Sequence, residues 1–292
     1  MDRTKICCFL SLFLVLAGCS HKKRVRVGSK NFTEQVILGE IIAQWIERGP
    51  HLEVERRLNL SGTLLAQQAL LSKEIDLYPE YTGTAFTNVL KHSPISDPGV
   101  VFERVRAEYA SEMHLEWLDP LGFNNSFAMA VRGADARKRH LETLTDAAND
   151  PAGFILGAGY EFMQRQDGFG TLNSSYPIHW IGTAKIMDLG LLYTALKQGQ
   201  VSMAAGNTSD GVLMVLDVKV LKDDKRAFPP YQACVVARSD TLSAFPGLKA
   251  ALSQLSGKIP DETMRKLNYE VDGKHRQVAA VASEFLDSAA LR

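Results

Sequence analysis

The sequence predicts an α/β protein of two lobes, each a mostly parallel sheet flanked by helices, joined by two connecting strands. Three observations carry that expectation. Short strands alternate with helices on both sides of the chain's midpoint, the pattern of sheets covered by helices. Turn-rich joints interrupt the alternation near Asn124 and at Pro229-Pro230, so a chain leaving one lobe at the first joint can return to it at the second. The segment Glu74 to Thr84 reads as a buried strand that runs into a turn carrying Tyr81 and Thr84. That places both residues at the carboxyl edge of a sheet, where open α/β folds bind their ligands. Lobes hinged in this way close around a ligand like a clamshell.

Ahead of the fold, Arg3 and Lys5 precede an apolar run from Ile6 to Leu16, and the run meets Ala17-Gly18-Cys19. A basic start, a short hydrophobic core and a small-residue cleavage site make residues 1–19 a signal peptide. The run is too short to span a bilayer permanently. Leu16-Ala17-Gly18-Cys19 resembles a lipobox, in which cleavage leaves Cys19 as a lipidated N-terminus that attaches the protein to a membrane from the extracytoplasmic side. Cys7 and Cys8 leave with the signal, so Cys234 is the remaining thiol and no disulfide forms within one mature chain. The remaining chain, about 270 residues, is long enough for two ordinary domains.

The first strand is Val25 to Ser29, with clean alternation. A helix follows, with Asn31 and Glu34 at capping-box spacing and Val36, Ile37, Ile41, Trp45 and Ile46 as its apolar stripe. Gly49-Pro50 ends it. Leu52 to Leu60 reads as a strand and Leu64 to Lys73 as a helix; the next strand should stop near Pro79, whose ring cannot continue a ladder. Val100 to Met113 is helical, Trp117 to Asn125 turn-rich, and Phe127 to Val131 a strand. Asp135 to Ala148 reads as one polar helix and Gly153 to Gly157 as a strand. Helices are expected from Glu161 to Arg165 and from Ala184 to Lys197. Val201 to Ala205, Val218 to Leu221 and Ala233 to Ala237 are strands, and the chain is helical from Pro246 onward.

Several classes of function are excluded. Basic and acidic residues balance at 33 each, with no single-sign block, so there is no basic face for nucleic acid. The seven histidines show no paired ligand spacing and no cysteine cluster exists, so neither a metal site nor another cofactor is expected. Gly157-Ala158-Gly159 lacks the rest of a phosphate loop and reads as a tight turn. No nucleophile elbow is present, and no acid–base pair has the spacing an enzyme would need.

Four words occur in order: Gly28-Ser29-Lys30-Asn31-Phe32-Thr33-Glu34-Gln35, Tyr78-Pro79-Glu80-Tyr81-Thr82-Gly83-Thr84, Gly122-Phe123-Asn124-Asn125 and Phe228-Pro229-Pro230-Tyr231. Together, and over nearly the whole mature chain, they resemble the glycine betaine/carnitine/choline-binding proteins of osmoprotectant ABC importers. The resemblance implies a type II periplasmic-binding-protein fold, with 22–123 and 232–292 as one lobe and 124–231 as the other. It implies a tyrosine cage around a quaternary ammonium and polar groups on the carboxylate, with the ABC permease and ATPase as partners and no enzymatic activity.

Physically the ligand class fits. A trimethylammonium group donates no ordinary hydrogen bond, so aromatic faces must select it, each at about 0.5–2 kcal/mol. By the resemblance, Tyr81 and Tyr231 are cage tyrosines, Thr84 and Arg165 reach the carboxylate, Lys30 supplies a polar contact at the first strand's end, and Asn125 lies at the joint. Phe127 and Asn207 stand where the family usually has cage tyrosines: Phe127 keeps the ring without the hydroxyl, and Asn207 removes a wall or offers a polar contact. Tyr160 and Tyr193 are further aromatic candidates, with Tyr193 better explained by core packing. Alternatives to glycine betaine, choline or carnitine are another betaine such as ergothioneine, or a sensing role that signals to a receptor.

Overall fold

The computed structural model describes residues 24–289. The expected signal segment 1–19, with Cys19, and residues 22–23 of the expected first lobe lie outside the described residues, as do residues 290–292.

The first sheet begins with β1 (Val25–Gly28), whose Val25 and Val27 are fully buried. The chain then enters α1 (Thr33–Arg48). Ile37, Leu38, Ile41, Ile42, Trp45 and Ile46 turn inward along it, and the Trp45 indole donates to the Ala251 carbonyl at 2.7 Å. The expected capping box at Asn31 is absent. Phe32 is the cap residue and, having no polar side-chain atom, makes no side-chain cap, while Glu34 faces the interior instead of reaching back to the helix end. β2 (Val54–Arg57) is shorter than expected and pairs parallel with β1. α2 (Thr63–Leu71) follows.

β3 (Leu77–Tyr81) does not stop at Pro79. The Thr82 amide bonds the Gln232 carbonyl, and antiparallel alternation then makes Pro79 and Val235 a non-hydrogen-bonded pair. The nitrogen of Pro79 therefore points toward β1, whose pairing with β3 is limited to Val27 with Leu77. A proline is accommodated there because no partner awaits its missing N–H. α3 (Thr82–Thr84) begins at once and widens into a π-helical turn over Ala85–Val89. α4 (Pro98–Glu108) is capped by the Asp97 carboxylate and carries Pro98 in its first turn. It leads through a second π-helical turn into β4 (Leu115–Trp117), a short strand between the expected helix and the turn-rich stretch that no local sequence signal announces.

The second sheet starts with β5 (Phe127–Arg132). The single helix expected over Asp135 to Ala148 is two, α5 (Gly133–Arg139) and α6 (Leu144–Asn149). His140 takes a left-handed φ of 55°, and Thr143 and Asp146 cap the second helix reciprocally. Next come β6 (Leu156–Ala158), α7 (Tyr160–Gln164), α8 (Phe169–Ser175) and β7 (Lys185–Ile186). The helix expected from Ala184 is thus replaced over its first half: Lys185 and Ile186 pair with Gly157 and Ala158 at the sheet edge, and α9 covers only Leu192–Lys197. β8 (Met203–Asn207) and β9 (Val218–Val220) complete this sheet. The chain returns as β10 (Ala233–Arg238) and closes with α10 (Ser239–Ala244), α11 (Leu248–Ser253), α12 (Asp261–Asp272) and α13 (Val278–Ser288).

The two sheets share one plan. The strand orders are β2-β1-β3-β10-β4 and β7-β6-β8-β5-β9. The sheets are mixed: β10 runs antiparallel to both neighbours in the first, and β5 does so in the second. Those two strands are the ones that cross between lobes, and each enters its sheet from the far side. Where the crossings pass, Asn124 bridges Gln232, the Asn125 amide bonds the Tyr231 carbonyl, and Asn124 Oδ1 accepts from the Tyr231 amide. The hinge is therefore a hydrogen-bonded pair of strands.

Candidate ligand-binding site

Between the two sheets lies a cleft of about 1810 Å³. All eight residues singled out from the sequence line it: Lys30, Tyr81, Thr84, Asn125, Phe127, Arg165, Asn207 and Tyr231. The β1–α1 turn supplies Lys30, and the β3–α3 turn supplies Tyr81 and Thr84. The second sheet contributes Phe127 at the start of β5, Asn207 at the end of β8 and Arg165 just after α7. Asn125 and Tyr231 come from the crossing strands. Edges of two sheets and a hinge thus converge on one space.

Several aromatic rings line it, among them Phe32, Tyr81, Phe127, Phe162 and Tyr231. Phe32 stacks on Tyr81 with centroids 6.4 Å apart, and Phe127 packs edge-on against Phe162, Phe228 and Tyr231 at 4.8, 5.3 and 5.7 Å. Their π faces already carry cations of the chain. Lys30 Nζ sits 4.7 Å from the Tyr81 centroid, and the Arg165 guanidinium 5.1 and 5.7 Å from those of Phe127 and Tyr231. This is the geometry in which ring quadrupoles attract positive charge.

Each of those two cations has a carboxylate of its own. Lys30 Nζ lies 2.6 Å from Glu80, with both side chains buried. Arg165 grips Asp167 through two bonds of 2.7 and 2.9 Å and also donates to Thr84 Oγ1 at 3.1 Å. Burial is the largest single influence and pushes Asp167 upward, but the Arg165 charge and the hydrogen bonds from Arg165, Asn88 and Tyr231 together outweigh it and leave the carboxyl below its usual range. Asp167 also accepts from Thr87, Asn88 and the Tyr231 hydroxyl at 2.9, 3.0 and 2.7 Å. Burial, and then the adjacent carboxylates, raise the Tyr81 and Tyr231 phenols well above their ordinary value, so both remain donors.

Glu34 differs. It is buried, lines the cleft and makes no ion pair among the described residues. The Tyr81 hydroxyl and Asn125 Nδ2 donate to one of its oxygens, and Asn268 Nδ2 donates to the other at 3.2 Å. Burial raises its pKa, against the pull of these donors. Asp210 is held similarly: burial raises it to about 6, while the Asn207 amide and the Tyr193 hydroxyl bond it. Tyr193 is therefore both a packed side chain and a cleft-lining donor, whereas Tyr160 is exposed at the rim.

Contacts cross between the lobes as well. Glu161 accepts the Thr63 amide, in the first turn of α2, at 2.9 Å. The bonds from Arg165 to Thr84, and from Thr87 and Asn88 to Asp167, cross in the same way. Among the described residues no cluster of potential metal ligands occurs, and no helix is long and apolar enough to cross a membrane.

The family model for the substrate-binding domain of ABC-type glycine betaine transport systems matches residues 23–288. The chain belongs to this family. Among its relatives is an ergothioneine transport permease/ergothioneine binding protein, EgtU, of Helicobacter pylori, 36% identical over 278 residues. That match covers 95% of this chain but 50% of EgtU, so the chain spans half the length of that relative. The carnitine transport binding protein OpuCC of Listeria monocytogenes is 37% identical, over 92% of this chain and 88% of its own. A crystal structure of a glycine betaine/carnitine/choline ABC transporter protein superposes with a TM-score of 0.78 at 33% identity, covering 91% of this chain and 99% of that one. Membership of a family of solute-binding domains is consistent with a cleft that holds pairing and packing groups.

Sequence reasoning missed half of the arrangement. Glu34 shares the helix face of Ile37, Leu38 and Ile41, and a carboxylate at the head of an apolar stripe was the signal for its inward position. Glu80 and Asp167 are each within two residues of a predicted contact, Tyr81 and Arg165. Asn268, on α12, carries no local signal at all, since it reaches Glu34 across 234 positions of sequence.

Proposed function

We propose that this chain captures a small quaternary-ammonium solute such as glycine betaine, choline or carnitine outside the cytoplasm and hands it to the permease and ATPase of an ABC importer. Residues 22–123 with 232–292, and 124–231, are the two bodies that close on it. Cys19, left as the lipidated N-terminus by cleavage just before it, tethers the protein to a membrane. The convergence of Tyr81, Phe127 and Tyr231 on one cleft between the lobes carries this reading, because methylated cations are held by ring faces in the absence of donors. Asn207 leaves the place beside Phe127 without a ring, the two being register partners on the neighbouring strands β5 and β8.

Ergothioneine is a second ligand within the same reading, supported by the 36% identity to EgtU. The test is a thermal-shift screen with glycine betaine, choline, carnitine, proline betaine and ergothioneine. A binder at one hundred times its Kd stabilises the native state by about 2.7 kcal/mol, which appears as a rise of several degrees. A flat response to all five compounds refutes the proposal.

A further inference from the structure

Buried polar atoms at the Glu34 end of the cleft narrow the ligand further. Asn125 and Asn268 are both more than nine-tenths buried and both line the cleft. Each points its amide nitrogen at Glu34, at 2.8 and 3.2 Å, and Asn268 Nδ2 also donates to the Ser209 carbonyl at 2.9 Å. Glu34 accepts from both amides, and the Ser209 carbonyl, which can only accept, holds Asn268 Nδ2 as well, so these bonds fix which way round the two amides lie. Their oxygens are thereby turned away from the carboxylate, and neither Asn125 Oδ1 nor Asn268 Oδ1 has a hydrogen-bond partner. Two buried carbonyl oxygens without donors are costly. The Gln35 amide nitrogen is unpartnered too, but Gln35 is not among the cleft-lining groups.

We propose that Asn125 and Asn268, oriented by Glu34, form an acceptor pair that receives an O–H or N–H of the bound solute, so that the site selects quaternary-ammonium ligands bearing such a donor over those that have none. The inference rests on the proposed function. Within it, the donor-less glycine betaine becomes a weak ligand, and a hydroxylated or ring-N–H compound a strong one. Asn125 and Asn268 are specificity-determining residues; Glu34 is a positioning residue that acts through them. A site built to hydrogen-bond a ligand rejects the analogue lacking that group strongly, because its own polar atoms are then left unpaired.

Matched pairs isolate the effect: carnitine against γ-butyrobetaine, which lacks the hydroxyl, and choline against its O-methyl ether. Calorimetry on the wild-type protein should show the donor-bearing member of the tighter-binding pair bound at least tenfold more strongly. Glu34→Gln, which presents both a donor and an acceptor and so frees the Asn125 amide to turn while the Ser209 carbonyl still holds Asn268, should lower that ratio. Asn268→Leu, removing one acceptor at similar volume, should lower it. A wild-type ratio near one overturns the inference and leaves the proposed function standing, and this outcome needs no variant to fold. A high ratio unchanged in both variants overturns the assignment to these amides. Failure of every quaternary ammonium compound to bind removes the proposed function and this inference together.

Discussion

Gly62→Ala offers a direct test of closure. The φ of Gly62 is −64°, open to any residue, but a Cβ there would stand 1.9 Å from Glu161 Oε1 and 2.9 Å from its Cδ. Glu161 would have to withdraw, losing its 2.9 Å bond from the Thr63 amide in the first turn of α2. A charge-assisted hydrogen bond contributes about 1.5–3 kcal/mol; with the Glu161 side chain 44% exposed, about 1–2 kcal/mol is the appropriate figure. The two residues belong to different lobes, so that energy stabilises only the closed form. It should appear as a fivefold to thirtyfold loss of affinity for the best-binding solute, with the ligand-free melting temperature almost unchanged. Titration calorimetry on Gly62→Ala, Glu161→Ala and the double variant makes a complete cycle. Truncating Glu161 removes the three atoms nearest to the added methyl, so Gly62→Ala should then cost little further affinity. Equal losses in both backgrounds, or unchanged affinity in the single variant, would show that this contact is no part of closure.

Three other outcomes are expected. Asn207→Tyr, which puts a ring beside Phe127 on the neighbouring strand, should tighten glycine betaine binding by roughly threefold to thirtyfold, the worth of one aromatic face; calorimetry showing weaker binding would mean that Asn207 is itself a polar contact. Asp210 has its pKa raised to about 6 from 3.8, so between those values the folded state holds the extra proton and stability falls as pH rises. A shift of this size corresponds to at most about 3 kcal/mol, and on going from pH 4 to pH 7 the urea midpoint should fall less, or rise more, in Asp210→Asn than in wild type. An equal pH response in the two proteins would contradict it. Burial raises the Cys234 thiol well above its ordinary value, so a thiol reagent should label the protein in denaturant and not in buffer; rapid labelling of the native protein would contradict its place in the core.

How much of this was legible in the sequence depended on whether the cause was local. Alternation and apolar stripes fixed β1, α1, β5, β8 and β10 because each side chain's burial follows from its own neighbours. The joints at Asn124 and Pro229-Pro230 were visible because turns need particular residues. Pro79 misled, since the rule it invokes concerns a central ladder with partners on both sides, and here β1 gives out beside it. Lys185 and Ile186 misled for the opposite reason: a helical pattern yielded to backbone bonds from β6, which nothing in the local sequence announces. At the site, Tyr81, Arg165 and Tyr231 stand in recognisable words. The carboxylates that neutralise the cations, and the amides around Glu34, depend on which elements meet and could not be read from spacing.

Those hidden partners explain how a cleft containing two cations can suit a cationic ligand. Lys30 with Glu80, and Arg165 with Asp167, each add no net charge, so a trimethylammonium group approaching the rings meets little repulsion. Glu34, with no cation of its own, tips the local balance toward positive charge. Asp167 meanwhile ties the arrangement to closure. Fully buried, it takes bonds from Arg165 on its own lobe, from Thr87 and Asn88 on the other, and from Tyr231 at the hinge. An opening of the lobes would strip away the Thr87 and Asn88 donors and expose the carboxylate to water, which would compensate it, and closing would restore them. The same act that assembles the aromatic wall therefore satisfies Asp167, and ligand and closure favour one state by separate contacts. A permease that recognises the closed form would in this way read occupancy without touching the ligand.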